Sequence, residues 1–348
     1  MPKWYEERGN SSDVVISTKV RLSRNVKKYP FSTKMSDSEA KALVEELTKE
    51  CIESDILEGE TISCNIHEMN EMNRIALGER QILSTAMIQK TQYSSILMRE
   101  DESAEIMLNE EDHIRIQTIS SGMNIVETYQ KANLIDDKLS DAFEMAYDEK
   151  YGYLTASPIN LGTGLRVSYM LFLPALSAAG KINTLVTEVA KYGVTLRGLL
   201  GDEEQNYGDI YMVSNQRTLG CSEQEILENL NSLVTQIIKQ ERVRREYVLA
   251  RNYNVVEEQV YRSYGILKYT KQIDEKDAIT LLSRIMFGVD TGIIKFQEEG
   301  NLYQMIMNVQ SNVLQAKAGK SLGNLSRERF RAEYINQNLP NIANSEEV

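Results

Sequence analysis

The chain has 348 residues, 42% hydrophobic and 26% charged, with a formal charge of −12 at pH 7. Such a composition describes a globular protein long enough for two domains. Its acidic balance, with a pI near 5.0, argues against direct nucleic-acid binding or attachment to a membrane surface, and leaves room only for a local basic cleft. Cys51, Cys64 and Cys221 are far apart without CxxC spacing, which points away from a zinc site or disulfide framework and toward a reducing, cytoplasmic setting. The N-terminus is charged from the start, and no stretch approaches the ~20 apolar residues of a membrane span.

In chain order, residues 14–25 read as a strand that places Lys19 and Arg21 on one face. Two cations aimed the same way repel unless an anion lies between them, so the pair is a candidate phosphate clamp or, equally, a solvated strand face. Residues 36–54 form an amphipathic helix capped by Ser36 or Ser38, with Ala42, Leu43, Leu47 and Ile52 inward. Gly78-Glu79 opens a second helix through Met87, a core residue by default, before a strand over 94–98.

Asn109-Glu110-Glu111-Asp112-His113-Ile114-Arg115-Ile116-Gln117 packs three carboxylates, one of only two histidines and an arginine between hydrophobic flanks. The alternation of Ile106, Leu108, Ile114 and Ile116 is strand-like and puts the acidic centre at a bend or strand end. Taken alone, that run is most simply a solvated acidic turn. A helix follows over 134–147. The small residues of 153–166 suggest a backbone close to a ligand, although Gly162-x-Gly164 lacks the third glycine of a dinucleotide fingerprint. Arg166, at the mouth of an apolar strand over 167–173, is a candidate anion contact.

A helix over 177–191 ends at Gly193, and a strand from Val194 feeds an acidic loop at 202–204 that is either a lid or an ordinary hairpin. A strand over 207–213 precedes a long helix opened by the capping box of Ser222 and Glu225. Further helices are expected at 255–269, 274–287, 302–318 and 326–336. The domain boundary is placed at 243–251, separating a domain of residues 14–244 from one of 245–340. Ala318-Gly319-Lys320-Ser321 ends like a phosphate loop but has Leu314 where the first glycine is required, and the signatures of eukaryotic-type kinases are absent.

Lys19, Arg21, Arg115, Arg166 and Arg197 at strand ends, with the acidic clusters 110–112 and 202–204, are what phosphoryl transfer needs: cations for phosphate charge and a carboxylate for the acceptor. In order, Ser17-Thr18-Lys19-Val20-Arg21, residues 109–115, Asn160-Leu161-Gly162-Thr163-Gly164-Leu165-Arg166, Arg197-Gly198 and Ser214-Asn215 resemble the guanidino (phosphagen) kinase family over nearly the whole chain. Within it the chain is similar to the bacterial protein arginine kinases, without the family's usual N-terminal helical domain and with a helical tail containing residues 260–267.

The resemblance implies an α+β fold, a curved antiparallel sheet flanked by helices, followed by an all-helical C-terminal domain that dimerises. It implies transfer of the ATP γ-phosphoryl group, with Mg²⁺ held mainly by the nucleotide phosphates and no protein metal ligand, to arginine side chains of proteins. A Clp-type protease, a heat-shock repressor and an activator protein are the implied partners. Glu111 would grip the guanidinium and act as base, with Ser157 and Asp202 beside it. The nucleotide would be held by residues 17–21, Met87, Arg115, Arg166, Val167, Ser168, Tyr169, Met170, Arg197, Gly198, Leu199, Leu200, Gly201 and Asp202. A guanidinium with a pKa above ~12 is a poor nucleophile until a fixed carboxylate takes its proton.

Arg327, Glu328, Arg331 and Ala332 resemble the group's phosphoarginine-sensing motif, and Arg327 and Arg331, at i and i+4, would share a helix face and hold a phosphoryl group between them. Lys19 stands in place of the family's arginine, Ser157 of a cysteine, Asp202 of a glutamate, Met87 of a nucleotide-contacting histidine and Glu328 of an aspartate. These departures frame the alternative of a weakly active or inactive relative serving as a regulatory phosphoarginine-binding or adaptor module.

Overall fold

The computed structural model describes residues 2–90, 92–201, 206–298 and 300–343. Its elements run β1 (Val15–Arg24), α1 (Asp37–Glu53), β2 (Thr61–Asn65), α2 (Glu71–Glu79), α3 (Thr85–Gln89), β3 (Ser95–Arg99), β4 (Ala104–Leu108), β5 (Ile114–Ser121), α4 (Ile125–Ala142), β6 (Tyr147–Asp148), β7 (Gly152–Tyr153), β8 (Leu165–Phe172), α5 (Pro174–Ala178), α6 (Ile182–Ala190), β9 (Val194–Gly198), β10 (Ile210–Asn215), α7 (Glu223–Tyr269), α8 (Glu275–Asp290), α9 (Leu302–Asn308), α10 (Ser311–Ala318) and α11 (Asn324–Asn338). Eight strands form one sheet in the order β2-β3-β4-β5-β1-β8-β10-β9, antiparallel at every pairing. The expected α+β architecture, an antiparallel sheet flanked by helices and followed by a helical region, is the one observed.

Alternation along the strands gives the sheet two unlike faces. On one face Val20, Leu22, Ile114, Ile116, Val167, Tyr169, Leu171 and Val213 join the main core with α1, α4, α6 and the first half of α7. The other face is apolar only at its ends. Met170, Phe172, Ile210 and Met212 are covered by the C-terminal helices. Toward the opposite edge Ile96 and Met107 form a small cluster with Ile66, Ile82, Leu83 and Met87 from the α2–α3 region. Between these covers lies a polar strip, and the candidate site occupies it.

Several helix limits depart from the sequence periodicity. In α1 the Ser36–Glu39 capping box forms, but the buried stripe is Ala40, Leu43, Val44, Leu47 and Cys51, leaving Ile52 55% exposed. Gly78-Glu79 closes α2 instead of opening a helix, and α3 starts only where the Ser84 hydroxyl accepts from the Met87 N–H. The helix expected at 134–147 begins earlier, at Ile125, and stops at Ala142, while Tyr147 pairs with Tyr153 in a hairpin. The helix over 177–191 is divided at Gly180, whose φ of +65° suits a left-handed turn. The helix over 302–318 breaks at Gln310, whose extended backbone caps α10. By contrast α7 runs through 243–251, with Asn252 (φ −132°, ψ 27°) its one non-helical residue.

Candidate active site

The register of the central strands builds the cationic strip. Arg21 on β1 lies between Gln117 on β5 and Arg166 on β8, and Lys19 lies beside Ser168. One row thus reads Glu105, Gln117, Arg21, Arg166 across four strands. Arg115 is two residues before Gln117 on the same face, and Arg197 enters from β9 opposite Met212. Three guanidinium nitrogens, Arg21 Nε, Arg115 Nε and Arg166 Nη2, are buried without a hydrogen-bond partner among the described residues.

Like charges this close oppose one another. Burial, then the neighbouring Arg115 and Arg166, pull Arg21 well below the usual arginine range, and the Glu110 carboxylate offsets this only in part. Burial, Arg115 and Arg197 lower Arg166 in the same direction. The strip's arginines stay protonated at physiological pH, so they are an electrostatic demand for a polyanion. Arg115 is partly answered, because its Nη1 forms an ion pair with Glu110, which also accepts from the Ser84 hydroxyl.

Lys19 is treated differently. Its ammonium donates to the Gln81 carbonyl at 2.8 Å, and burial lowers it to about 7 against the opposing pull of Glu105. Glu105 is itself raised to about 8, again mainly by burial, and accepts from Gln117 Nε2 at 2.9 Å. Sequence patterning assigns neither Glu105 nor Gln117 a role, although Gln117 closes the acidic stretch. The available signal was their place in the alternation, which sets Glu105 and Gln117 on the side opposite Ile106 and Ile116.

The acidic stretch is a tight turn between β4 and β5. Asn109 adopts φ 56°, a left-handed conformation Asn tolerates, and the N–H groups of Asn109 and Glu110 donate to the carbonyls of His113 and Asp112. His113 is fully buried. Its Nδ1 accepts from the Val26 N–H at 3.1 Å and its Nε2 faces the Pro30 carbonyl at 2.9 Å, so the ring serves as a neutral brace, with burial lowering its pKa. Asp112 Oδ1 accepts from Asn25 Nδ2 and from the Ala156 N–H, both at 2.7 Å. That carboxylate ties the turn to residues 154–158 and brings Ser157 beside Glu111.

Glu111 alone of the three acids points outward. It is exposed at an open cleft of about 680 Å³ whose lining includes Ser32, Thr33, Gln89, Lys90, Glu110, Ser157 and Pro158. The loop behind Ser157 is held from below. Arg24, paired with Asp136 at 2.7 Å, donates to the Thr163 carbonyl and stacks 3.5 Å from the Tyr153 ring centroid. Gly164 lies so close that a Cβ would stand 2.6 Å from the Ser23 carbonyl oxygen. Asn215 stitches the same strand, accepting from the Val167 N–H at 2.8 Å and donating to the Leu165 carbonyl at 3.1 Å.

Not every residue expected at the nucleotide faces the strip. Thr18, Val20, Val167 and Tyr169 fall on the opposite face by strand parity: Val20, Val167 and Tyr169 are in the main core, the Tyr169 hydroxyl donates to Asn231 at 2.8 Å, and Thr18 donates to the Gly122 carbonyl. Met170 packs with the C-terminal helices, and Met87 is fully buried in the small cluster, where its side chain is core. Leu199 and Leu200 also pack toward the C-terminal helices, while their N–H groups are held by Asn206 Oδ1 at 3.0 and 3.2 Å. Gly198 and Gly201 precede the acidic residues 202–204, and Asp202 lies outside the described residues.

Residues 24–244 match the model of the ATP:guanido phosphotransferase C-terminal catalytic domain. The chain belongs to this ATP:guanido phosphotransferase family. Residues 253–348 match a second model, the C-terminal domain of the protein-arginine kinase McsB. The chain is 39% identical over 97% of its length to a protein-arginine kinase of Bacillus mycoides, covering 95% of it. A protein-arginine kinase of Clostridium novyi is 37% identical, over 98% of this chain and 99% of that protein. In fold the chain is similar to lombricine kinase, with a TM-score of 0.57 at 22% identity over 69% of this chain and 71% of that one. As a family member it is an ATP-dependent phosphotransferase with a guanidino acceptor, and the unpartnered arginine nitrogens of the strip suit the nucleotide's phosphates.

The arginines of α11 do not behave like those of the family's catalytic sheet. Arg331 is 1% exposed, with Nε donating to the Val309 carbonyl at 2.7 Å, Nη1 to the Ile273 carbonyl at 3.1 Å and Nη2 to the Ser311 hydroxyl at 3.2 Å. Arg327 is half-buried and donates to Asn324, Glu328 accepts from Gln272, and Ala332 is buried. The expected two-arginine cradle is therefore not formed. The Arg331 guanidinium is spent on groups inside the fold, and that of Arg327 turns to Asn324 on its own helix.

Proposed function

We propose that the chain transfers the γ-phosphoryl group of Mg-ATP to arginine side chains of proteins. The observation that carries this reading is Glu111, an exposed carboxylate at the lip of an open cleft, next to a strip of arginines with unsatisfied buried donors. Such a cleft admits a side chain presented by a polypeptide. Arg21, Arg115, Arg166 and Arg197 hold the triphosphate, and Lys19 adds a point charge. Mg²⁺ bound with the nucleotide would offset phosphate charge there.

Glu111 accepts two N–H bonds from the acceptor guanidinium and aligns one nitrogen with the γ-phosphorus. As that nitrogen bonds to phosphorus and the bond to the β-phosphate oxygen breaks, the guanidinium proton passes to Glu111. The strip takes up the charge left on the ADP β-phosphate. Ser157 borders the acceptor without supplying a thiolate, so orientation of the guanidinium rests on Glu111.

The biological setting belongs to the same proposal: a cytosolic enzyme that marks proteins for a Clp-type protease, acts on a heat-shock repressor and answers to an activator protein. Residues 14–244 act as the catalytic unit and 245–340 as a dimerising, phosphoarginine-sensing unit. Dimerisation is supported by exposed apolar side chains on α7, among them Val243 at 65%, Val255 at 58% and Tyr269 at 78%. With Arg331 engaged internally, sensing falls to Arg327 and to Glu328, which lines a groove with Gln272, Asp274, Asp277 and Arg284. The test is incubation with Mg-ATP and an arginine-rich protein, read by mass spectrometry for acid-labile phosphoarginine. The wild type yields product and Glu111→Gln does not. No product from the wild type overturns the reading, and undiminished product from Glu111→Gln overturns the assignment of the base.

A further inference from the structure

The segment between α2 and α3 touches both the cationic strip and the C-terminal helices. At its start, Glu79 ends α2 and its carboxylate receives the first N–H groups of α10: Val313 N at 2.8 Å, Asn312 N at 3.0 Å and the Asn312 side-chain amide at 2.7 Å. The Gln310 amide also donates to the Glu79 carbonyl at 3.2 Å. A carboxylate at a helix N-terminus meets free donors and the positive end of the helix dipole. Here it comes from a distant part of the chain, so it fastens two regions together.

Two residues later the same segment reaches the strip. Gln81 has φ 63°, a conformation a non-glycine residue holds only when its surroundings enforce it. Its carbonyl accepts from Lys19 Nζ at 2.8 Å and from Gln117 Nε2 at 3.2 Å. Ser84, at the far end of the segment, donates to Glu110, the partner of Arg115. A six-residue run, 79–84, therefore links α10 to three side chains of the strip and its border.

The α10 end is equally constrained. The Ser311 N–H donates to Glu275 at 2.8 Å, and the Ser311 hydroxyl accepts from Arg331. Burial raises the pKa of Glu79, its bonds to Asn312 and Val313 oppose this, and the Glu275 charge adds to the rise. The two carboxylates share one helix terminus.

We propose that Glu79 is a positioning residue for nucleotide binding: by clamping the N-terminus of α10 it holds the Gln81 carbonyl where it orients Lys19 and Gln117, so that the C-terminal helices set the affinity of the strip for ATP. The inference rests on the nucleotide assignment above and adds a route from the helical region to that site.

The test uses the full chain and reads the equilibrium Kd for Mg-ATP by calorimetry, with Tm as a control on folding. Asn312→Asp sets a second carboxylate against Glu79 and removes an amide donor. It is expected to weaken ATP binding by on the order of tenfold, within the usual range of coupling between sites. Adding Glu79→Gln lets the introduced amide donate to the introduced carboxylate, and the pair is expected to bind ATP within about threefold of wild type. A purely structural role would lower Tm in the single variant and leave its Kd unchanged, which overturns the proposal. Weakening without recovery in the double variant overturns it as well. A wild type that fails to bind Mg-ATP overturns the nucleotide assignment and the latch with it, whereas wild-type binding with an unaltered Asn312→Asp overturns the latch alone.

Discussion

Two groups of arginines, on the sheet and on α11, look alike in the sequence and have opposite physical situations. Arg21, Arg115 and Arg166 keep buried nitrogens without partners and face one another across paired strands. Arg331 is more deeply buried, yet its guanidinium is satisfied by two carbonyls and a hydroxyl. A buried arginine marks an anion site only when its donors are left over. Where they are consumed by the backbone, it is a structural tie, and removing it leaves polar groups stranded.

The sharpest way to break this contrast is on the sheet. Glu111→Gln is expected to lower turnover by roughly 10²- to 10⁴-fold with little change in Tm, because the group is exposed and acts on the proton; a rate assay with a melting curve checks both. Arg166→Gln is expected to cost about 10²- to 10³-fold in kcat, as loss of one charge-stabilising donor does. Because it relieves repulsion with Arg115 and Arg197, Tm stays level or rises, and a fall in Tm would place Arg166 with the structural arginines.

Arg331→Met tests the other side. It is expected to destabilise the fold by about 2–4 kcal/mol, since two buried carbonyls and a half-buried hydroxyl lose their donor, with the loss read by denaturant unfolding. Unchanged stability would remove the distinction between the two groups.

The smallest effect is a pH slope. Lys19 lies near 7, below its ordinary value of 10.5, so it loses its proton as pH rises from 7 to 9, while a polyphosphate prefers it charged. ATP binding therefore takes up protons and weakens by up to about tenfold per pH unit in that window. Lys19→Arg, which stays charged, flattens the profile, and calorimetry in two buffers of different ionisation heat measures the proton uptake directly. The apo fold has the opposite dependence: the unfolded chain binds more protons than the folded one between pH 7 and 10.5, so this group alone makes stability rise with pH there.

Much of the site was legible because its signals are local. The alternation around 14–25 and 106–116 is a property of neighbouring residues, and it correctly set Lys19 with Arg21 and placed the three carboxylates at a turn. Residues 166–170, read as one nucleotide-binding run, divide between two faces because a strand alternates. Glu105 and Gln117 carry no local signal of a role, since each is an ordinary polar residue until β4, β5 and β1 are in register.

The sequence by itself determined the family, the capping box at Ser222, and the local identity of Glu111 as one of three candidate acids, and left the cap of α1 between Ser36 and Ser38. Only the tertiary structure decided which acid is free, since Glu110 is taken by Arg115 and Asp112 by Asn25 and Ala156. It also decided which arginines still have donors to offer. The reason is one of range: propensity and periodicity are set by residues a few positions apart, whereas the hydrogen-bond partners that use up a buried donor come from anywhere in the chain.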